Sequence, residues 1–482
     1  MPKSSTPALA MAFLLAGSTV AKADEEDFRR TLEMRSEAPA QEAVQRTDLA
    51  GVPAGVQLFF MTGPDNSPVV RSLPDMNGDG IGEVLVGIDE SGVDNVFCLD
   101  GTSSGAATVV WSLETMDGVS GGSPYGDLSL SVVPDTDGNG LADVLAGTAW
   151  GGRTAYRLDG GSGEIQWRFD TYLEADSGWV YSLTEVGDIT NDGKPEVAFG
   201  AGSDNDRVYL VDGASDATGQ AAVRWRYLAP DAVLSVVGPG DLDGDGEGDV
   251  VAAVGDFGDV IVALSGSTTN PNGTVIWQFP SPETPFALEV LPDITGDGVA
   301  EILAAVWVNN GSAVRALNGA TGTQVWQSTT VLGLGMLVDL LPDVTGDGVP
   351  EVVASSWENA VSLLSGADGT QVWKTPVGTV NGGDVWSARG IGDLNGDTVP
   401  DVIAGSFDYH VYAMSGTDGS MLWAFDTGNR VFSVHPLEDL NGDGRPDVAV
   451  GTQDTNNNVV VHVLDGAAGN PGPFFADGFE TG

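Results

Sequence analysis

Oxygen-bearing side chains recur at a fixed spacing in this chain, most fully at Asp241-Leu242-Asp243-Gly244-Asp245-Gly246-Glu247-Gly248-Asp249. Carboxylates stand at the first, third, fifth and ninth positions, and the glycine at the sixth lets the backbone turn sharply. A hard cation such as Ca²⁺ takes about six to eight oxygens in a tight shell, and this spacing can supply most of them from one short loop. Related stretches begin at Asp75, Asp135, Asp188, Asp293, Asp343, Asp393 and Asp439.

The elements that position such loops repeat with them. Successive loops are separated by 46 residues (393 to 439) to 60 residues (75 to 135), so each unit holds roughly 50. An alternating run such as Phe286-Ala287-Leu288-Glu289-Val290-Leu291 leads into each loop, and an apolar run such as Glu301-Ile302-Leu303-Ala304-Ala305 leaves it. A third run ends at a turn such as Leu317-Asn318-Gly319, and a fourth ends in tryptophan, as in Thr323-Gln324-Val325-Trp326. Four short strands with turn residues between them read as an antiparallel sheet. Eight such sheets in one chain predict an all-β fold, an eight-bladed β-propeller of four-stranded antiparallel blades over residues 53–475.

Tryptophan recurs once per unit, at 111, 167, 225, 277, 326, 373 and 423, where a flat side chain packs between adjacent blades. The first unit has Phe59 at the equivalent place, and the eighth ends in Pro473-Phe474-Phe475. Two closures of the ring follow. The strand Val56 to Phe60 completing the last blade is favoured, since joining the first sheet to the last resists opening; the Phe474-Phe475 pair competes with it.

Composition narrows the partners. There are 19 basic and 69 acidic residues, a formal charge of −50. Such a surface repels nucleic acid and anionic membranes. Glycine, at 68 residues, is far above the usual ~7% and fits many tight turns. The single cysteine, Cys98, lies in the apolar run Val96-Phe97-Cys98-Leu99 and excludes an internal disulfide. At the N-terminus, Lys3, the apolar run Ala8 to Val20 and Ala21-Lys22-Ala23 read as an export signal over 1–23, too short to span a bilayer. Cleavage is expected after Ala23. Residues 24–52 are charged and poor in aromatics, a linker, and 476–482 form a C-terminal tail.

The acidic loop followed by a run such as Val84-Leu85-Val86-Gly87 resembles the FG-GAP repeat of integrin α-subunit propellers and many secreted bacterial proteins. The stretch Leu158-Asp159-Gly160-Gly161-Ser162-Gly163-Glu164-Ile165-Gln166-Trp167 is similar to the tryptophan-docking repeat of quinoprotein (PQQ-like) propellers. The first resemblance implies Ca²⁺ bound in each loop. Its side-chain ligands would be Asp75, Asn77, Asp79 and Glu83 in loop 1, helped by the Ile81 carbonyl, and Asp135, Asp137, Asn139 and Asp143 in loop 2. Loop 3 would use Asp188, Thr190, Asp192 and Glu196; loop 4 would use Asp241, Asp243, Asp245 and Asp249, the most charged set and so the tightest. Loops 5 and 6 offer Asp293, Thr295, Asp297 and Glu301, then Asp343, Thr345, Asp347 and Glu351. Loops 7 and 8 offer Asp393, Asn395, Asp397 and Asp401, then Asp439, Asn441, Asp443 and Asp447. The neutral hydroxyls of Thr190, Thr295 and Thr345 weaken their sites, and Thr398 stands where every other loop has its sixth-position glycine.

Catalytic groups are scarce. The chain has three histidines, His410, His435 and His462. No Ser-His-Asp grouping, phosphate-cradling loop or histidine-rich metal cluster can be assigned. Quinoprotein dehydrogenases carry adjacent cysteines beside their cofactor, and one cysteine cannot supply them. Four residues before each loop, however, side chains are polar in seven of eight units: Arg71, Ser131, Thr184, Glu289, Asp339, Arg389 and His435. If that strand is innermost, the row lines a polar channel on the propeller axis, with Asp339 and Arg389 adjacent. Tyr125, Tyr172, Trp179, Tyr227, Phe279 and Trp386 precede the inner strands and would stack on sugars or grip a peptide if they shared one face. The expectation is an exported, monomeric Ca²⁺-binding propeller, extracellular or periplasmic, that acts as a binding or adhesion scaffold for a protein or glycan. No nucleic acid and no membrane span is expected. The alternative is a secreted propeller enzyme, either polysaccharide lyase-like or a degenerate quinoprotein.

Overall fold

Short alternating runs bounded by Asp-Gly turns cannot bury their apolar faces alone, so they pair and stack. A computed structural model describes residues 56–467 except 64–67, 90–92, 116–117, 120–127, 150–151, 175–177, 203–205, 217–218, 256–258, 282–283, 357–358, 379–383 and 455–457, and not the side chains of 56, 307–312 and 332–336. The export signal, the linker to residue 52, Tyr125, the Phe474-Phe475 pair and the tail lie outside the described residues.

Eight four-stranded antiparallel blades form the propeller. Blade 4 is typical: Val233–Gly240, Asp249–Val254, Val260–Ser265 and Thr274–Pro280 pair in sequence order. The strand entering each acidic loop packs against its counterparts in the neighbouring blades, so these eight strands surround the axis. They are Val69–Leu73, Leu130–Val133, Trp179–Gly187, Val233–Gly240, Pro285–Leu291, Leu332–Leu341, Val385–Ile391 and Arg430–Pro436. Because every acidic loop follows an inner strand, all eight emerge on the same propeller face. Blades 5 and 6 depart from strict separation. The second strand of blade 5, Glu301–Ser312, runs on to pair with Leu332–Leu341, at Trp307 with Leu334 and Ser312 with Leu332.

Neighbouring inner strands are stapled by serine. Ser182, Ser235, Ser387 and Ser433 each accept, on Oγ, the amide of the next blade's inner strand: Val236 (3.0 Å), Leu288 (3.1 Å), Val434 (3.3 Å) and Val70 (3.4 Å). The sequence marks these positions only as small. Near the axis the strands are too close for bulk, and a short hydroxyl both fits and satisfies an inward amide.

The tryptophans make the outer staple. A bulge at the residue before each one re-aims its side chain, as where Trp277 pairs with Ala263 and Val275 with Leu264, skipping Ile276. The indole then donates to a turn-glycine carbonyl of the next blade: Trp111 to Gly160 (2.7 Å), Trp277 to Gly319 (2.6 Å), and Trp326, Trp373 and Trp423 to Gly366, Gly416 and Gly466 (2.8 Å each). Trp167 and Trp225 are fully buried between blades, but their indole nitrogens have no hydrogen-bond partner among the described residues. Each turn glycine is forced. A Cβ on Gly319 would lie 1.9 Å from the Ala300 carbonyl oxygen, and one on Gly213 1.8 Å from that of Pro195.

The ring closes through the N-terminal strand. Val56–Gly63 pairs antiparallel with Val459–Asp465 and becomes the fourth strand of blade 8, with Phe59 buried in the tryptophan position. Gly105–Ala106 adds a short parallel pairing on its outer edge. His462 bridges the closure, its Nδ1 2.6 Å from Gln57 Oε1 and its ring edge-on to Phe425. Burial pushes His462 down to about 4 from its ordinary 6.5. The unfolded chain therefore binds a proton that the folded chain refuses between those values, so closure loses stability as pH falls from 6.5 through 4. This contribution is on the order of 3 kcal/mol. Thermal unfolding of wild type and His462→Gln across that window should show a shallower acid loss in the variant.

Candidate metal centres

Each loop first folds around its own first aspartate. Asp75 accepts the amides of Gly78 (2.6 Å) and Gly80 (2.8 Å), one on each carboxylate oxygen. Asp135, Asp241, Asp293, Asp343 and Asp439 do the same with their fourth- and sixth-position glycines. Those amides hold Asp75, Asp135 and Asp343 below the usual carboxylate range. The third and fifth side chains then cap the amides two residues on, as Asn77 does for Asp79 and Asp79 for Ile81 (2.9 Å each). These bonds coil the loop so that its oxygens converge.

The ninth position works differently. Glu83, Asp143, Glu196, Asp249, Glu301, Glu351, Asp401 and Asp447 are all fully buried. Each accepts the amide of its loop's second residue, from Met76 to Glu83 (2.6 Å) through Leu440 to Asp447 (2.8 Å). Burial pushes Glu83 up to about 7, Asp249 and Asp401 to about 6 and Asp447 to about 8. Glu83 Oε1 is buried with no hydrogen-bond partner among the described residues. A buried carboxylate in that state is answered either by a proton or by a nearby cation.

Three carboxylates converge, with oxygens within 4.8 Å of one another, in five loops: Asp75, Asp79 and Glu83; Asp137, Asp143 and Asp159; Asp241, Asp243 and Asp249; Asp293, Asp297 and Glu301; and Asp343, Asp347 and Glu351. Loops 1, 4, 5 and 6 thus gather the residues expected of them, with Asp245 of loop 4 outside the tight group. Loop 2 does not follow the expected set. Asp159, at the end of the blade's third strand, takes the place of Asp135, and Asn139 turns its amide nitrogen onto Asp159. Asp143 is already occupied: Arg157 Nε (3.1 Å) and Thr136 Oγ1 (2.6 Å) reach Oδ2, and Gln166 Nε2 (2.6 Å) reaches Oδ1. The buried guanidinium also pairs with Glu185 at 2.8 Å.

Loops 3, 7 and 8 gather no such trio among the described residues. In loop 3, Asn191 takes the fourth position at φ 59, Asp188 caps Asp192 instead, and Arg224 lies 3.7 Å from Glu196. In loop 7, Thr398 keeps the loop's course, its amide 2.8 Å from Asp393, at φ 71. A left-handed conformation costs a β-branched residue about 1–2 kcal/mol. Arg445 of loop 8 donates to the Leu394 carbonyl and so ties loops 7 and 8 together.

The residue before the turn glycine is the member that sequence reasoning missed. Asp159 joins loop 2, and Asn318 Nδ2 donates to Asp297 at 2.6 Å in loop 5. The signal was present as Asp, Asn or Ser before that glycine at 100, 159, 212, 265, 318, 365, 415 and 465.

The inner-strand row behaves as expected. Arg71, Ser131, Thr184, Glu289, Arg389 and His435 line one axial cavity of 290 Å³. Asp339 stands beside Arg389, Oδ1 to Nη1 3.7 Å, and accepts the Gly390 amide at 3.0 Å. The aromatic residues described before the inner strands do not form one exposed surface. Trp386 is buried and stacks on Phe407, Trp179 packs against the same cluster, Phe279 lies under Arg315, and Tyr172 is exposed.

Residues 343–404 match the FG-GAP-like repeat model and residues 431–464 the FG-GAP repeat model. The chain carries FG-GAP repeats. No curated protein sequence matches it. Solved structures similar to this propeller share its fold at low identity. Saccharomyces cerevisiae Sqt1 is 13% identical with TM-score 0.60, covering 86% of this chain and 100% of its own. The C-terminal WD40 domain of Sif2 is 14% identical with TM-score 0.56, covering 87% and 99%. The computationally designed Ika8 protein is 13% identical with TM-score 0.55, covering 85% and 99%. Among the described residues no helix is long and apolar enough to cross a membrane.

Loop 2 gives a direct test of its substitute cation. Arg157→Gln leaves the buried Asp143 and the half-buried Glu185 without their guanidinium, and should cost about 3–5 kcal/mol in a urea melt.

Proposed function

We propose that this protein is an exported Ca²⁺-binding FG-GAP propeller that serves as a binding or adhesion scaffold for a protein or glycan. The observation that carries the metal reading is Glu83. Its buried, unpartnered Oε1 belongs to the cluster with Asp75 and Asp79, in a loop whose backbone is already coiled as a bound cation would need. Asn77, and its third-position counterparts Thr190, Thr295, Thr345, Asn395 and Asn441, add neutral oxygens, a donor set suited to a hard cation. When bound, Ca²⁺ supplies positive charge that the loops' carboxylates otherwise lack. Loops 1, 4, 5 and 6 are the principal sites, loops 3, 7 and 8 weaker ones, and loop 2 is served by Arg157.

Export is supported by the N-terminal sequence 1–23, and the single buried cysteine, Cys98, leaves the fold independent of any disulfide. A scaffold role is supported by the FG-GAP matches and by the loop face, where eight acidic loops stand side by side. The −50 charge directs the partner choice away from nucleic acid and toward protein or glycan surfaces that tolerate a Ca²⁺-bridged acidic face.

Thermal unfolding with excess Ca²⁺ against chelator should show a large upward shift with Ca²⁺ and little with Mg²⁺. Coincident melting curves would refute the metal reading. Equilibrium dialysis at about millimolar Ca²⁺ should find one ion fewer on Glu83→Gln than on wild type.

A further inference from the structure

The axis of this propeller holds a second site, separate from the rim loops. Its wall is the row of inner-strand residues four before each loop, arranged in blade order around the ring. Blades 7, 8 and 1 contribute Arg389, His435 and Arg71, a continuous basic arc. Blades 2 and 3 contribute the hydroxyls of Ser131 and Thr184, and blade 5 contributes Glu289 opposite Arg71. Asp339 neutralises part of Arg389, and burial lifts Glu289 to about 7, so its charge is reduced near neutral pH. Two arginines and a histidine thus gather on one side of a narrow cavity in a protein whose net charge is −50.

Tyr181, Leu234, Phe286, Trp386 and Phe432 sit three residues before the polar row on their strands and belong to one buried apolar cluster. The lining of the axial cup itself is the polar row together with Ser182, Ser235 and the residues beside them. The cup's 290 Å³ lies at the lower end of the range of about 300–1,000 Å³ for small-molecule sites. That size suits a single six-carbon acid.

We propose that this axial cup binds one small hydroxylated carboxylate. The carboxylate is taken up on the Arg71–His435–Arg389 arc, and the hydroxyls on the Ser131–Thr184 arc, with Glu289 receiving the far end. Guanidinium groups fit a carboxylate by paired N–H donors, and the neighbouring hydroxyl arc reads a polyol that a simple fatty acid lacks. Leu183, Val237 and Leu288, which line the same cavity, supply an apolar surface for the carbon skeleton. Because the cup is built from the inner strands, it stands or falls independently of the rim metal sites.

Calorimetric titration of the full chain, with Ca²⁺ held constant in excess, tests the proposal. The probes are gluconate, hexanoate (carboxylate without hydroxyls), glucose (hydroxyls without carboxylate) and sulfate. Gluconate should bind saturably at one site per chain, with the other three about tenfold weaker or more. Arg71→Gln should weaken gluconate about tenfold or more, while Thr184→Ala weakens gluconate and leaves hexanoate unchanged. The threonine variant keeps the test open if the arginine variant fails to fold. No saturable gluconate binding by wild type, equal binding of hexanoate, glucose or sulfate, or undiminished gluconate binding by a folded Arg71→Gln would each overturn it. Rim Ca²⁺ binding, measured by dialysis on the same samples, separates this outcome from failure of the calcium reading.

Discussion

Eight buried carboxylates, one at the ninth position of each acidic loop, tie the rim of this propeller to its blades. Each sits at the start of a second strand, fully enclosed, and holds the amide of its loop's second residue. Burying a carboxylate is costly unless its charge is answered. Here backbone amides answer part of it, and in loop 2 a guanidinium answers more. The first-position aspartates depend less on such help, since they are exposed or half-buried and already accept amides of their own loop. The loop thus has a self-sufficient outer end and a dependent inner end. A cation bound between them, as proposed above, would satisfy the inner end without unfolding the outer one.

The rest of the blade geometry follows from how closely that loop packs. The turn glycine after each third strand presses on the carbonyl just before the ninth position, as Gly266 does on Gly248 and Gly416 on Pro400, at distances no Cβ could occupy. In blades 4, 7 and 8 the amide of the same glycine also donates to the buried aspartate, from Gly266, Gly416 and Gly466. In most blades its carbonyl receives the indole of the preceding blade. One glycine therefore links acidic loop, turn and neighbouring blade. Serine hydroxyls perform the matching task near the axis, where a large ring would not fit.

Ring closure relies on different chemistry. Phe59 fills the tryptophan position but has no N–H to donate, and the joint is held by the paired strands and by His462 against Gln57. A closure made by main-chain pairing between residues some 400 apart in sequence makes the first and last blades mutually dependent.

Much of this was legible in the residues. The recurrence of the loops, the alternation of the inner strand and the periodic tryptophans determined the blade count, the strand order and the polar row at the axis. These are local properties: a period of two on a strand places side chains by parity, and a repeat copies that placement. What the tertiary structure decided depends on groups far apart in sequence. Arg157 meets Asp143 and Glu185 because two adjacent blades bring them together, and no spacing announces that pairing. Asp159 and Asn318 enter their loops because a third-strand turn folds back beneath the first loop. Trp386 becomes part of a buried cluster rather than an exposed contact because residues from several blades converge there. Sequence determined which oxygens each loop owns; only the fold decided which charges from elsewhere would reach them.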